Sequence, residues 1–373
     1  MHVLILSSDN GGGHNAVARA LKEVFEAHGD TCQVEDCLSF ISRDVSRAIA
    51  KSHVFVYRHA PRLFASGYRH TQRHPKTFME HHSGRQMLNL GCRSLGRTLR
   101  TGGYGAAICT HVFASLMLTD ACRKYGLSMP TGVVETDYTA SPGAHAGNLD
   151  WHFIPAESLR EDLVRLGVDS SRIIATGIPV RGAFYNRGAQ GAARRALGLP
   201  ERCHHLLMMG GSMGAGPVAE LARAIIRDMG DDCAVSVVCG TNQALWNELT
   251  GLYGDHPRVR IHGYMECVAP LMESADLLLT KPGGITVTEA AVERLPMVLV
   301  NAVAGCEAHN LNFFTRIGGA VTARTPPAIA ALCLDLLRDD ARRAAMARAL
   351  EPIARSNDRE VIWRIMRGRA GQD

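Results

Sequence analysis

HLLMMGGSMGAGPVAELARAIIRDM, residues 205–229, carries an apolar strand, a turn with glycines at 210, 211, 214 and 216, and a helix from Val218 to Met229. A strand that breaks into glycines and re-enters as a helix is the unit from which parallel α/β sheets are built. The same pattern recurs in LLLTKPGGITVTEAAVER (277–294) and opens the chain in VLILSSDNGGGH (3–14). Further apolar runs at 106–109, 131–135, 150–154 and 173–176, and then at 234–239, 259–262 and 297–300, are spaced for strands alternating with helices. The expected fold class is α/β, with a doubly wound parallel sheet in each of two halves. At roughly 150 residues per domain, 373 residues fit that division. The boundaries read as 1–185 and 186–354, with 186–199 an alanine-rich linker running into a helix. An arginine-rich last segment, 355–373, is expected to return to the first domain. In such sheets ligands bind outside the carboxyl ends of the strands, so the expected ligand crevice lies between the halves.

Composition excludes several classes. With 46% hydrophobic and 21% charged residues the chain is neither disordered nor fibrous. Its 11 cysteines include no CxxC pair and no regular spacing, which excludes a zinc ribbon and a disulfide scaffold. The opening residues carry no basic region ahead of the apolar run, so they are not read as a signal peptide. No stretch is long and apolar enough for a membrane span. The expected location is the cytoplasm, with any membrane contact at the surface.

Charge is concentrated in one segment. Residues 40–100 hold twelve Lys or Arg against Asp44 and Glu80, a balance of +10 in a chain whose net charge is +5. Six histidines and a set of aromatic residues are interleaved with them, including Phe55, Phe64 and Tyr68. This composition fits an anionic membrane surface, with Arg58, Arg62, Phe64 and Tyr68 as candidate contacts. Nucleic acid asks for the same charge, but no RNP, helix-turn-helix or zinc-finger signature accompanies it, so no nucleic-acid partner is expected. The plain alternative is a solvated helical face.

The glycine turns carry the chemistry. Backbone N–H groups at Gly210–Gly216 and a helix N-terminus can hold an anion, although a tight turn before a helix has the same sequence. The missing GK[ST] removes support for ATP or GTP hydrolysis. The second turn, Lys281-Pro282-Gly283-Gly284, precedes a helix whose first turn is expected to carry Glu289, a carboxylate able to accept both hydroxyls of a ribose. Together the two turns suit a nucleotide diphosphate. Gly305-Cys306-Glu307-Ala308-His309-Asn310 is a polar cluster suited to sugar hydroxyls. In the first half, His14 follows three glycines at a strand end and can act as a general base, bond a phosphate or cap the helix. Asp137, at another strand end, could orient or replace it.

In these segments the chain resembles a known family. SDNGGGHNAVARAL, GIPV, MGGSMGAGP, CGTN, HGYM, LTKPGGITVTEAAVERLPMVL and NLNFF, in that order, are similar to the monogalactosyldiacylglycerol synthase and processive diacylglycerol glucosyltransferase family. That family belongs to glycosyltransferase family 28. The resemblance implies the GT-B fold and inverting transfer of a hexose, glucose or galactose, from a UDP-sugar to diacylglycerol. It places the reaction at the cytoplasmic membrane face, with no metal and no cofactor beyond the co-substrate. It matches His14 to a histidine proposed as base or acceptor-site residue; beside it Asp137 stays a catalytic candidate from its position, and Gly12 and Gly13 are acceptor-side candidates. Gly211, Ser212 and Met213 match the diphosphate loop, Tyr264 and Met265 the uracil segment, and Gly283, Gly284 and Ile285 the second phosphate turn. Glu289 matches the ribose ligand; Glu307 and Asn310, with His309 between them, match the donor-sugar cluster, and Asn242 of CGTN joins the donor set. The chain departs from the family at Cys306, where glutamine is usual, at His309, where a small residue is common, and at 141–145, which stand where the family often has a Pro-aromatic-Trp stretch. Two alternatives stay open: a UDP-GlcNAc-dependent transferase acting on a polyprenyl-linked or other lipid, whose loop normally reads GGTGGH, and a non-catalytic nucleotide-sugar-binding protein.

Overall fold

A computed structural model of the protein describes residues 1–9, 12–59, 82–186, 188–200, 203–211, 214, 216–300 and 305–370. The chain divides into two units: Met1–Arg181 with Ala304–Cys306 and Ser356–Asp373, and Gly182–Val303 with Glu307–Arg355.

The first unit is built on six parallel strands, β1 (His2–Ser7), β2 (Thr31–Asp36), β3 (Ala106–Cys109), β4 (Thr131–Val134), β5 (Trp151–Ile154) and β6 (Ile173–Ala175), in the order β2-β1-β3-β4-β5-β6. Strand β1 is buried from Val3 to Ser7 because helices cover both faces, which is why its sequence is an unbroken apolar run. Strand β2, TCQVED, is an edge strand with a polar, half-exposed pattern, and the sequence reading missed it. It nevertheless pairs along the whole of β1, from His2↔Thr31 to Ser7↔Asp36.

Helix α1 (Gly12–Ala27) buries Val17, Ala18, Leu21, Val24 and Phe25. Helices α2 (Arg43–His59), α3 (His82–Thr101), α4 (Val112–Tyr125) and α5 (Arg160–Leu166) follow. Leu88, Cys92, Leu95 and Leu99 of α3 share a core with Leu116, Met117 and Ala121 of α4. Within the basic segment, Arg85 has a structural role: its Nε and Nη2 donate to the buried Asp120 at 3.1 and 2.8 Å. Arg43, Arg47, Lys51, Arg93, Arg97 and Arg100 are exposed, as are Phe55 and Leu90.

The second unit repeats the plan with β7 (His204–Met209), β8 (Cys233–Val238), β9 (Val259–His262), β10 (Leu277–Thr280), β11 (Met297–Leu299) and β12 (Ala320–Val321), all parallel in the order β12-β11-β10-β7-β8-β9. Its helices are α6 (Gln190–Ala196), α7 (Val218–Asp228), α8 (Gln243–Tyr253), α9 (Ala269–Ser274), α10 (Gly284–Val292), α11 (Cys306–Arg316), α12 (Pro326–Arg338) and α13 (Asp340–Ser356). Val218, Leu221, Ala222 and Ile225 of α7 pack with Ile329, Cys333 and Leu337 of α12. Inside this core His205 is fully buried between Ser236 (2.9 Å from Nε2) and Ser274 (3.0 Å from Nδ1), and burial lowers its pKa to about 4. It is a satisfied core histidine, not a reactive one.

The last helix, α14 (Glu360–Ala370), belongs to the first unit and packs on α1 with Ile362 and Met366 fully buried. Its anchor is Asp30, whose side chain is buried and accepts from the Met1 amine (2.6 Å), from Trp363 Nε1 (2.8 Å) and from Arg367. Burial pushes the Asp30 pKa up, but the bonds from Met1 and Trp363 outweigh it and the net direction is down. Removing one member of a buried charge cluster strands the others. Asp30→Ala is therefore expected to cost α14 about 2 kcal/mol of its docking, read as a roughly thirty-fold rise in amide exchange confined to 360–370 and its contacts on α1. Unchanged exchange there would show that apolar packing alone holds the helix.

Candidate active site

In the first sheet the chain leaves β1 for β2 on one side and later returns as β3 on the other, so β1 and β3 flank the topological switch point. Crossovers to opposite faces open a crevice at the carboxyl ends of such a pair. Helix α1 begins there at Gly12, so His14 lies within the helix and does not cap it. Gly12, Gly13 and His14 consequently form its first turn.

His14 is half-buried, and its Nδ1 donates to the Thr110 carbonyl at 2.7 Å, with Thr136 Oγ1 at 3.2 Å. A carbonyl can only accept, so the proton sits on Nδ1 and the lone pair on Nε2, the form a general base requires. The ring stands edge-on to His111, with centroids 4.6 Å apart. His111 is itself committed, since its Nδ1 accepts from Phe113 N and caps α4. Behind His14 the strand ends are tied together: Thr110 Oγ1 donates to Ser7 Oγ (3.3 Å), Ser7 Oγ to Asn15 Oδ1 (2.5 Å), and Asn15 Nδ2 to Asp9 (2.7 Å). Asp137 is half-buried and follows Thr136 at the end of β4.

Glu135, which the sequence reading passed over, is buried beside them. It accepts from Ser141 Oγ at 2.5 Å and so closes the 135–141 loop that carries Asp137. Burial, aided by the nearby Asp137 charge and opposed by the Ser141 bonds, raises its pKa from 4.5 to about 7.

The second unit has its switch point between β7 and β10, and both glycine turns leave the sheet there. Thr280 Oγ1 donates to the Met209 carbonyl at 3.0 Å and joins the two strand ends. Gly214 has φ +56°, and a Cβ on it would fall on the Cys239 carbonyl oxygen. Asn242, expected among the donor ligands, secures this turn: its Nδ2 donates to the Gly214 carbonyl (3.1 Å) while its Oδ1 caps α8 at Leu245 N (3.1 Å). Ser212 and Met213 lie outside the described residues.

The aliphatic stem of Lys281 crosses Gly211, which has φ +72° and whose added Cβ would stand 2.5 Å from Lys281 Cε. The ammonium lies 3.7 Å from that Cβ position and 4.0 Å from the corresponding position on Gly283, between the two turns. It donates to Glu307 Oε1 at 2.7 Å. Asn310 is fully buried, and its Nδ2 donates to the Pro282 carbonyl at 2.9 Å, fastening α11 to the second turn.

Helix α10 starts at Gly284, so Gly284 and Ile285 form its first turn and Glu289, 6% exposed, lies one turn later than the sequence suggested. His309 and Tyr264 are exposed and Met265 is half-buried. Arg58 is on α2, and Arg62, Phe64 and Tyr68 lie outside the described residues. Among the described residues no three His, Cys, Asp or Glu side chains cluster to hold a metal, and no helix is long and apolar enough to cross a membrane.

Comparison with known proteins supplies the family. The monogalactosyldiacylglycerol (MGDG) synthase family matches residues 14–180, and the glycosyltransferase family 28 C-terminal domain matches 205–356. A processive diacylglycerol beta-glucosyltransferase of Bacillus cereus (strain AH187) is 28% identical over 359 residues, 95% of this chain and 90% of that protein. By these matches the chain is similar to the monogalactosyldiacylglycerol synthase family of glycosyltransferases. Its fold is GT-B: MurG of Acinetobacter baumannii superposes with a TM-score of 0.65 at 16% identity, over 98% of this chain and 99% of that one. UDP-GlcNAc 2-epimerase from Neisseria meningitidis gives 0.62 at 14% identity, over 97% and 98%.

For this glycosyltransferase the raised pKa of Glu135 sets a pH signature. The folded protein holds that proton between pH 4.5 and about 7 while the unfolded chain does not, so this group's stabilising contribution is complete below pH 4.5 and is lost as pH rises through about 7. Relative to the parent, Glu135→Gln is expected to gain about 2–3 kcal/mol in unfolding free energy across that window. Urea denaturation at pH 5 and pH 8 measures it, and a difference independent of pH would show that Glu135 is ionised throughout.

Proposed function

We propose that this glycosyltransferase moves a hexose from a UDP-sugar to the hydroxyl of diacylglycerol, with inversion, at the cytoplasmic face of the membrane. The observation that carries the reading is the His14 imidazole, whose proton is fixed on Nδ1 by the Thr110 carbonyl and whose Nε2 is thereby the basic atom. In the reaction Nε2 takes the acceptor hydroxyl proton as that oxygen forms its bond to the anomeric carbon. The anomeric bond to the diphosphate oxygen breaks in the same displacement, which inverts the centre. Negative charge then grows on the departing UDP. The second unit offers the N-terminus of α10, the glycine-turn N–H groups and the Lys281 ammonium to receive it. We assign Glu289 to the ribose hydroxyls and Glu307 to the hexose. On this reading charge stabilisation comes from backbone and lysine, and turnover needs no metal.

The acceptor is amphiphilic and the protein must reach it at an interface. The exposed Arg43, Arg47, Lys51, Arg93, Arg97 and Arg100, with Phe55 63% and Leu90 70% exposed, support a peripheral attachment to anionic lipid. The similarity to a diacylglycerol glucosyltransferase supports the acceptor class. Cys306 and His309 stand in the sugar cluster, and they leave the choice between glucose and galactose to experiment.

UDP-glucose and UDP-galactose, offered separately with diacylglycerol in anionic vesicles containing EDTA, test the reading. Wild type is expected to form a glycolipid with one of them, and His14→Ala to lose about 10²- to 10⁴-fold in rate. Saturable UDP binding without product from either donor would overturn the diacylglycerol assignment and point to another lipid acceptor or an N-acetylated donor.

A further inference from the structure

We infer that Lys281 and Glu307 form an exchangeable latch, in which the donor diphosphate takes Lys281 from Glu307 and so releases the Glu307 carboxylate for the hydroxyls of the hexose. The inference rests on the proposed reading of the second unit as the donor site. Three features of the geometry carry it. The lysine ammonium lies between the two glycine turns, close to the position a Cβ would take on each, so a diphosphate bound by those turns would meet it directly. The same ammonium is bonded to Glu307 Oε1 at 2.7 Å, with the two side chains 21% and 9% exposed. Both ends of the pair are fixed, because Asn310 fastens the first turn of α11, which carries Glu307, to the Pro282 carbonyl next to Lys281.

A diphosphate that reaches the ammonium meets a carboxylate already in place, and two anions around one lysine oppose each other. A bare nucleotide displaces Glu307 and takes the Lys281 bond from its carboxylate. A nucleotide-sugar displaces it and then gives it hydroxyls to accept from, which offsets the loss. Once the hexose has been transferred, that compensation is gone and Glu307 competes for Lys281 again, which favours departure of UDP. The latch thus makes Glu307 a positioning and release residue in addition to a sugar ligand. Its signature is the opposite of an ordinary ligand: removing the Glu307 charge should strengthen UDP binding.

Titration calorimetry with UDP on wild type, Glu307→Gln, Lys281→Met and the double variant reads this out, with thermal melting to show that each is folded. Glu307→Gln is expected to bind UDP about tenfold more tightly than wild type, Lys281→Met more weakly, and the double variant no more tightly than Lys281→Met alone. In turnover, Glu307→Gln should show lower kcat together with stronger inhibition by UDP. Unchanged or weaker UDP binding by folded Glu307→Gln, with wild type binding normally, would overturn the latch and leave the donor reading standing. Tightening that persists in the Lys281→Met background would overturn it too, because the gain would not pass through the lysine. Failure of wild type to bind UDP would overturn the donor reading and the latch together.

Discussion

The reversal of strand order at the centre of each parallel sheet is the constraint from which both half-sites follow. Between β7 and β10 the ladder runs from Leu206↔Leu277 to Met209↔Thr280, and beyond it the two chains must separate toward different helices. Separation leaves backbone N–H groups at the start of each helix without helical acceptors, and those groups are the proposed anion-binding surface. The Thr280 bond to the Met209 carbonyl holds the ends together at the point where they part. The turns can pass so closely only because side chains are absent where they touch, at Gly214 against Cys239 and at Gly211 beneath Lys281. A methyl group at 214 would push on backbone, whereas one at 211 would push on a flexible side chain. The first position therefore fixes the loop and the second fixes the path of the lysine.

Several buried polar groups away from the sites are used up by structure. His205 is neutral between two serines, Arg85 is clamped on Asp120, and Arg194 donates to Asp276 at 2.6 Å while the amide of His205 bonds the same carboxylate at 2.7 Å. These groups sit where desolvation would be costly without a partner. The groups proposed for chemistry have a different character. His14 is oriented by a neutral acceptor, and Lys281 is bonded to the carboxylate that the proposed latch exchanges for a diphosphate.

The fold was legible where burial on both faces imposed a continuous apolar run, as in β1, β7 and β10. It was not legible in β2, whose edge position leaves Thr31 and Gln33 exposed among half-buried residues, nor in the two-residue β12. Helix starts at Gly12 and Gly284 were read too late, since glycine gives no helical signal and is tolerated there only because the first turn lacks internal partners. The identity of His14 as a candidate was legible; the atom that orients it was not, because Thr110 contributes a backbone carbonyl and any residue carries one. Lys281 stood inside a motif already singled out, yet its partner is 26 residues away and reaches it only through the β10–β11–α11 connection. Residue types announce the turns; the fold decides which charges meet across them.

The two half-sites, as proposed, also meet different electrostatic demands. A base that must first accept and later shed a proton has to be held in one tautomer and one orientation, which a neutral hydrogen-bond acceptor can do. The Thr110 carbonyl is that acceptor for His14. A diphosphate site needs charge. It must attract two anionic groups and still let them go, so a permanent cation requires a competitor. Glu307 provides one within the same unit, rigidly mounted and already in contact. Orientation by a neutral group on one side and by an opposed charge pair on the other follow from the same principle: affinity for the reacting charge must be large in the transition state and small afterwards.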